Sequence, residues 1–510
     1  MTTKVNQILF VGYALTLLLI VYLTSRREKD SLDYFLAGRG LSWWVIGASL
    51  IASNISTEHF VGMAGSGFSV GLAVASYEWM AAVTLVLVGR WFLPVFLRHG
   101  VYTMPEYLEV RFCSAARIFF SVLLLVAYIF IVLATVLYSG GLAIQAIFGL
   151  DIGWGILILS VIGGAYTIYG GLKAVVFTDV LQVVLLLAGG AVATWLGLRR
   201  VGGFSALLQA EPERFHTILP AGHSELPWTG VFLGGLWMAN FFYWGCNQFI
   251  TQRTLAARSL AQGQRGILLA AFLKLGIPFL IVVPGIVAHR LYGAELASKD
   301  MAYPHLLKTL LPSGLSGLML AALLGAVLST VDSLLNSAAT LFTMDLYAPL
   351  RRVDPQAEPG RLLRVGRWST LVILLAGALW APMVGLAPGV FRYIQEFWGV
   401  VSPGVVAVFL LGFFWKGARS RGALWGLGAT IPVSLLLWLA FPEVAFLNRM
   451  GIVFALIVTL VVLVSLGAGS EAPSQPRKAR PPVDMTPARG YAWIGWGITA
   501  AVGALYWTFA

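Results

Sequence analysis

A chain of 510 residues that is 59% apolar and only 11% charged does not read as a soluble multidomain protein; it reads as a polytopic membrane protein in which one helical bundle uses nearly everything. The net charge of +12 does not indicate a nucleic-acid partner, because the basic runs are short and lie between apolar spans, where they fit anchoring to membrane lipid. The two cysteines, Cys113 and Cys246, exclude a disulfide framework or a thiolate metal cluster, and the six histidines are scattered without ligand spacing.

Apolar runs near 20 residues long predict an all-α chain with about fourteen membrane helices. Their cores are 7–24, 42–62, 73–97, 116–148, 153–170, 174–198, 229–250, 265–290, 313–348, 364–384, 388–415, 421–440, 446–467 and 490–509. The first run lacks a basic leader and a small-residue cleavage site, so it is expected to stay as a membrane helix. With the loop after it in the cytoplasm, roughly 24 of the Lys and Arg residues fall inside and roughly 8 outside. Arg253 is counted among those inside. That bias predicts both termini on the extracytoplasmic side. The chain then divides into 1–40 (first helix and cytoplasmic loop), 41–198 and 229–415 (two groups of five spans), 199–228 (an extracellular loop) and 416–510 (peripheral helices, with a cytoplasmic linker at 467–489 rich in Pro, Ser and charge).

The stretch Ala48 to Glu78 organises the rest. It begins as a membrane helix, then sets Ser53, Asn54, Ser56, Thr57, Glu58 and His59 where hydrocarbon belongs, and follows them with Gly62, Gly65, Gly67 and Gly71. Such groups are costly in a bilayer unless they face a cavity or a ligand. A second polar interruption, Asn240 to Gln248, opens the second group of spans. Two odd-numbered groups in series must be inverted relative to one another, which is the layout of inverted-repeat transporters with a site between broken helices.

Ala326, Ser329 and Thr330 share one helix face by their i, i+3, i+4 spacing. With carbonyls released at Ala52 and Ile55 they offer about five neutral oxygens, a set suited to a hard monovalent cation rather than calcium. The alternative is that both hydroxyls bond back to their own helix. Glu78, Asp179, Lys274 and Asp332 are ionisable residues in or at the edge of apolar spans, and these mark functional sites. Glu78 and Lys274 fit a polyhydroxylated ligand, the carboxylate accepting and the ammonium donating; a purely structural ion pair is the other reading. No nucleophile–base pair or metal ligand set indicates an enzyme.

The stretches DYFLAGRGLSWWVIGASLIASNIS, SYEWM, VVFTDVLQVV, YWGCNQFITQRTLAA, LNSAATLFTMDLY and YIQEFWGVVSPGVVAVFLLG resemble the sodium/solute symporter family, and within it the sugar branch of bacterial sodium/galactose and animal sodium/glucose transporters. The resemblance implies a LeuT-type five-plus-five inverted repeat with one helix before and three after, in the bacterial cytoplasmic membrane. It implies sodium as the coupling ion and hexose uptake by alternating access. By motif, Ala52, Ile55, Ala326, Ser329 and Thr330 match the sodium site; His59, Glu78, Asn240, Lys274 and Gln395 match sugar contacts. Tyr243 matches the inner gate, and Met63, Tyr77 and Phe391 match the outer one. Asp179, Asp332 and Ser333 stand where some members hold a second cation. Departures from the bacterial galactose pattern are His59 for glutamine, Ala81 for serine and Val132 for asparagine, which leaves the identity of the sugar open. Another small solute (inositol, sialic acid or an amino acid) and a non-transporting sugar sensor keep much the same residues. Oligomeric state is not readable.

Overall fold

The computed structural model describes residues 4–25, 31–56, 58–296, 298–312, 315–354, 357–386, 390–469 and 483–510. Their regular structure is helical, with isolated bridges such as Leu41 to Ala257. Nine helices among the described residues are long and apolar enough to cross a membrane, from Leu72–His99 to Phe446–Gly467. The expected spans at 153–170 and 174–198 form one element, Ile152–Arg200, divided at Gly171, whose φ is 49° and ψ −170°. A left-handed φ of that kind favours glycine, so the element is two helices meeting at a joint.

Two further spans are interrupted where the sequence placed polar residues in apolar surroundings. Trp43–Asn54 ends as Ile55 turns extended (φ −83°, ψ 103°), and the chain resumes as the π-helical turn Glu58–Met63 and the short helix Ala64–Ser69. The second break runs from Gly235–Phe241 through the π-helical turn Phe242–Cys246 to an extended Asn247, then into Gln248–Leu255. A helix end leaves carbonyls without partners inside the helix, so each break brings polar backbone into the bundle. Tyr128 secures the second one: its hydroxyl donates to Asn247 Oδ1 and accepts from the Phe249 amide at 3.1 Å.

Long helices support the first break on two sides. Leu260–Tyr292 packs on Trp43–Asn54, Ala64–Ser69 and Ser76–Leu87, while Ile152–Arg200 packs on Trp43–Asn54, Leu315–Thr340 and Lys4–Ser25. The end of Ala64–Ser69 is capped from the 199–228 loop, where Arg214 Nη1 donates to the carbonyls of Phe68 and Ser69 at 2.7 and 3.0 Å. Gly71 sits beneath that contact at φ 100°, and a Cβ there would lie 2.8 Å from the Arg214 Cα. Most of the linker expected at 467–489 lies outside the described residues. Beyond it, the Leu260 amide donates to the Asp484 carbonyl at 2.9 Å, and the Tyr491 hydroxyl donates to the Val86 carbonyl at 2.8 Å, fastening the last helix to the bundle.

Candidate functional site

The two breaks face a common cavity with about 780 Å³ of empty space, its open mouth included. Glu78, in the first turn of Ser76–Leu87, and Lys274, midway along Leu260–Tyr292, form an ion pair in its wall. Both are buried, Lys274 completely. Lys274 also donates to Asn54 Oδ1, at the end of the first broken helix, and lies 5.0 Å over the Trp244 ring in the second. One ammonium thus touches both interruptions. His59 Nε2 is 3.8 Å from Glu78 Oε1, and Asn240 is buried with no hydrogen-bond partner for its amide nitrogen among the described residues.

A buried donor left unmet costs about 1–3 kcal/mol, so Asn240 favours a guest with oxygen acceptors. The structure brings His59, Glu78, Asn240, Lys274 and Gln395 to the same cavity, along with Met63, Tyr77 and Tyr243. Ala81 and Val132 line it as well, giving smooth apolar wall where polar side chains were the comparison pattern. Tyr243 packs edge-on to Phe249 with ring centroids 5.7 Å apart. The side chain of Phe391 lies outside the described residues. On the other side of Tyr77 and Gln395 a wider vestibule of about 1250 Å³ opens; burial holds the carboxyl of Asp300, in its wall, above the ordinary range against the pull of Lys299.

The residues expected to hold sodium are all buried, on two helices that pack together, Trp43–Asn54 and Leu315–Thr340. Their hydroxyls take different partners. Thr330 bonds back to the Ala326 carbonyl at 3.1 Å, whereas Ser329 reaches across to Asp179. Asp179 also accepts from Ser49 at 2.5 Å and from Ser53 at 3.3 Å. Of the second-cation residues, Ser333 joins this cluster through Ser53 at 3.1 Å. Asp332 reaches a different neighbour, its Oδ1 accepting from Thr167 at 2.6 Å.

Arg253 is the residue that the sequence reading misplaced. Counted as a loop cation, it is fully buried, with its guanidinium 3.5 Å from Asp179, donating to Ser49 at 2.8 Å and also to Ser333. The short helix after the second break carries it back into the bundle. The signal was Asp179 itself, since a carboxylate in mid-span needs a cation. Asn54, a polar residue of the first break, and Trp244, an aromatic residue of the second, are the other partners of Lys274.

Comparison with known proteins adds four findings. The model of the sodium:solute symporter family matches residues 34–429. A sodium/glucose cotransporter of Vibrio parahaemolyticus is 45% identical over 462 residues, covering 86% of this chain and 84% of the relative. Sodium/glucose cotransporter 1 of Oryctolagus cuniculus is 38% identical over 436 residues, covering 77% of this chain and 65% of its own length. Among solved structures, a Na+-coupled sialic acid symporter in a substrate-bound outward-open state has a TM-score of 0.81 at 23% identity, covering 91% of this chain and 98% of its own. The last likeness is one of fold.

Proposed function

The chain belongs to the sodium:solute symporter family, and from that premise we propose that it is an integral membrane transporter coupling inward sodium movement to uptake of a hexose by alternating access. The observation that carries the reading is the Glu78–Lys274 pair in the wall of a cavity bounded by both helix breaks, with the unmet amide of Asn240 beside it. In this reading the carboxylate accepts from sugar hydroxyls, the ammonium and the Asn240 amide donate, and the Trp244 face covers the ring. His59 and Gln395 complete the polar contacts. Met63, Tyr77 and Phe391 close the outer path and Tyr243 the inner one.

Sodium in this reading binds between the end of Trp43–Asn54 and the Ser329 face, through carbonyls of Ala52, Ile55 and Ala326 and the hydroxyls of Ser329 and Thr330. Thr330 can keep donating to the Ala326 carbonyl, because the lone pairs of its oxygen remain for the ion. Asp179, Ser333 and Asp332 form a second cation region, partly served by the Arg253 guanidinium. The architecture that fits is fourteen membrane helices, an inverted repeat over 41–198 and 229–415, and both termini extracytoplasmic. The driving force suffices: one charge crossing about 100 mV is worth about 2.3 kcal/mol, or about 50-fold accumulation of solute.

The test is counterflow in sealed liposomes containing the purified protein, with labelled glucose, galactose, inositol and sialic acid and either sodium or potassium outside. Sodium-dependent exchange of a hexose is the expected result. Exchange of inositol or sialic acid alone would move the substrate class, and sodium-dependent binding without exchange would make the chain a sensor.

A further inference from the structure

A second cavity lies behind the helix that carries Gln395. It holds about 890 Å³ between Val390–Phe414, Ser420–Ala440 and Phe446–Gly467. Phe397, Val400, Leu435, Trp438 and Val453 make most of its wall apolar. Leu435 and Trp438 are 44% and 53% exposed, on the outer flank of a membrane bundle, so the cavity opens sideways toward lipid rather than toward water. Its other end is charged. Glu396 and Arg449 line both this cavity and the vestibule, and Arg449 lies within electrostatic reach of Glu396 and Glu443.

Arg449 is oriented by its surroundings. Its Nη1 donates to the carbonyls of Phe441 and Pro442, each at 3.1 Å, which fixes the guanidinium, while among the described residues Nη2 and Nε make no hydrogen bond and can serve a second acceptor. A fixed guanidinium suits a phosphate through paired N–H donors. The carboxylates nearby would repel a purely anionic head group but suit an ammonium. One amphiphile matches all three features: an apolar tail, a phosphate, and a primary ammonium a few bonds away.

We propose that this groove is a specific site for a zwitterionic aminophospholipid, with the phosphate on Arg449, the ammonium between Glu396 and Glu443, and one acyl chain against Phe397, Leu435 and Trp438. The bound lipid stands behind Val390–Phe414, whose opposite side carries Gln395 in the central cavity. It therefore acts as a wedge on that helix and tunes the rate of transport without touching the solute.

The direct test needs no transport assay, so its outcome is separate from the substrate assignment. Native mass spectrometry of the delipidated protein, titrated with phosphatidylethanolamine, phosphatidylcholine or phosphatidylglycerol, counts the lipids retained. One phosphatidylethanolamine should bind at least tenfold more tightly than either of the others, because the trimethylated head cannot donate to carboxylates and the glycerol head has no ammonium. Arg449→Ala and Glu396→Gln should abolish that preference. Leu435→Trp, a change at an exposed position that fills the groove, should expel the lipid while leaving the melting temperature of the delipidated protein unchanged. Equal retention of the three lipids, a preference for phosphatidylglycerol, or unchanged selectivity in all three variants would overturn the proposal.

Discussion

Two buried ion pairs of similar composition serve different ends in this fold. Glu78 and Lys274 stand in the wall of a cavity, with Asn54, His59 and Trp244 around them and empty space on one side. Asp179 and Arg253 are enclosed by Ser49, Ser53, Ser329 and Ser333, both fully buried. In the proposed reading the first pair trades partners with an incoming ligand. The second holds four chain segments together: the first broken helix, Ile152–Arg200, the helix after the second break, and Leu315–Thr340. Desolvation is costly for both, and each is stable only while its partners remain. What separates a binding site from a fastener is the space beside the charges, not the charges themselves.

That distinction is easiest to break at Arg253. Removing one partner of a buried pair leaves an uncompensated charge and costs about 3–5 kcal/mol, so Arg253→Ala should show the largest loss of thermal stability in detergent. Arg253→Lys keeps the charge but cannot reproduce the fork to Ser49 and Ser333, and should fall between. Asp179→Asn added to Arg253→Ala should restore part of the loss, because no lone carboxylate remains. An Arg253→Ala protein that melts with the wild type would make the enclosed pair dispensable and erase the contrast.

The cavity pair should respond in binding more than in folding. Losing a charge-assisted hydrogen bond costs about 1.5–3 kcal/mol, so Glu78→Ala and Lys274→Ala should each weaken solute affinity by about ten- to a hundredfold by equilibrium titration. Their melting temperatures should shift less than that of Arg253→Ala. A double variant no weaker in binding than either single one, with stability falling instead, would place this pair among the fasteners too.

The sequence made the framework legible because the bilayer forces simple rules on it. Nine helices among the described residues are long and apolar enough to cross a membrane, and both polar interruptions became breaks. Gly71 and Gly171 mark left-handed turns that few other residues adopt. The cavity residues were readable for the same reason: a Glu, a Lys and an Asn inside apolar runs have few places to go. Arg253 was not, because charge counting along loops treats every basic residue after a span as solvated. Only the third dimension brings Gln248–Leu255 back against Asp179. The partition of hydroxyls was equally hidden: Ser329 and Thr330 are neighbours in sequence, yet one bonds across the bundle and the other along its own helix.

That partition grades the next effect. In the proposed cation site, alanine at either position removes one of about five neutral ligands, and both should raise the sodium concentration needed for half-maximal uptake. Ser329→Ala also withdraws a donor from Asp179, so its shift should be the larger. Solute binding at saturating sodium should survive in both. Sodium dependence left unchanged by Ser329→Ala would remove the cation assignment from this helix face.

The smallest effect, and the one that links the two regions, belongs to His59. Ile55 and His59 flank the first break: the backbone turns extended at Ile55, and the His59 ring lies 3.8 Å from Glu78. A cation that orders the break through the Ile55 carbonyl also positions His59, so each ligand should tighten the other by the same factor. Coupling energies of this kind run to about 1–3 kcal/mol. His59→Ala should therefore weaken solute affinity modestly and shrink its dependence on sodium, while sodium binding measured without solute changes little. The comparison is a pair of solute titrations, at low and high sodium, on one preparation of each protein. If the variant binds solute poorly but keeps the full sodium-dependent gain, the coupling runs through another element. The second break is then the strongest alternative, because Lys274, bonded to Asn54 in the first, also lies 5.0 Å over the Trp244 ring there. In that case Trp244→Ala, rather than His59→Ala, should uncouple the two ligands.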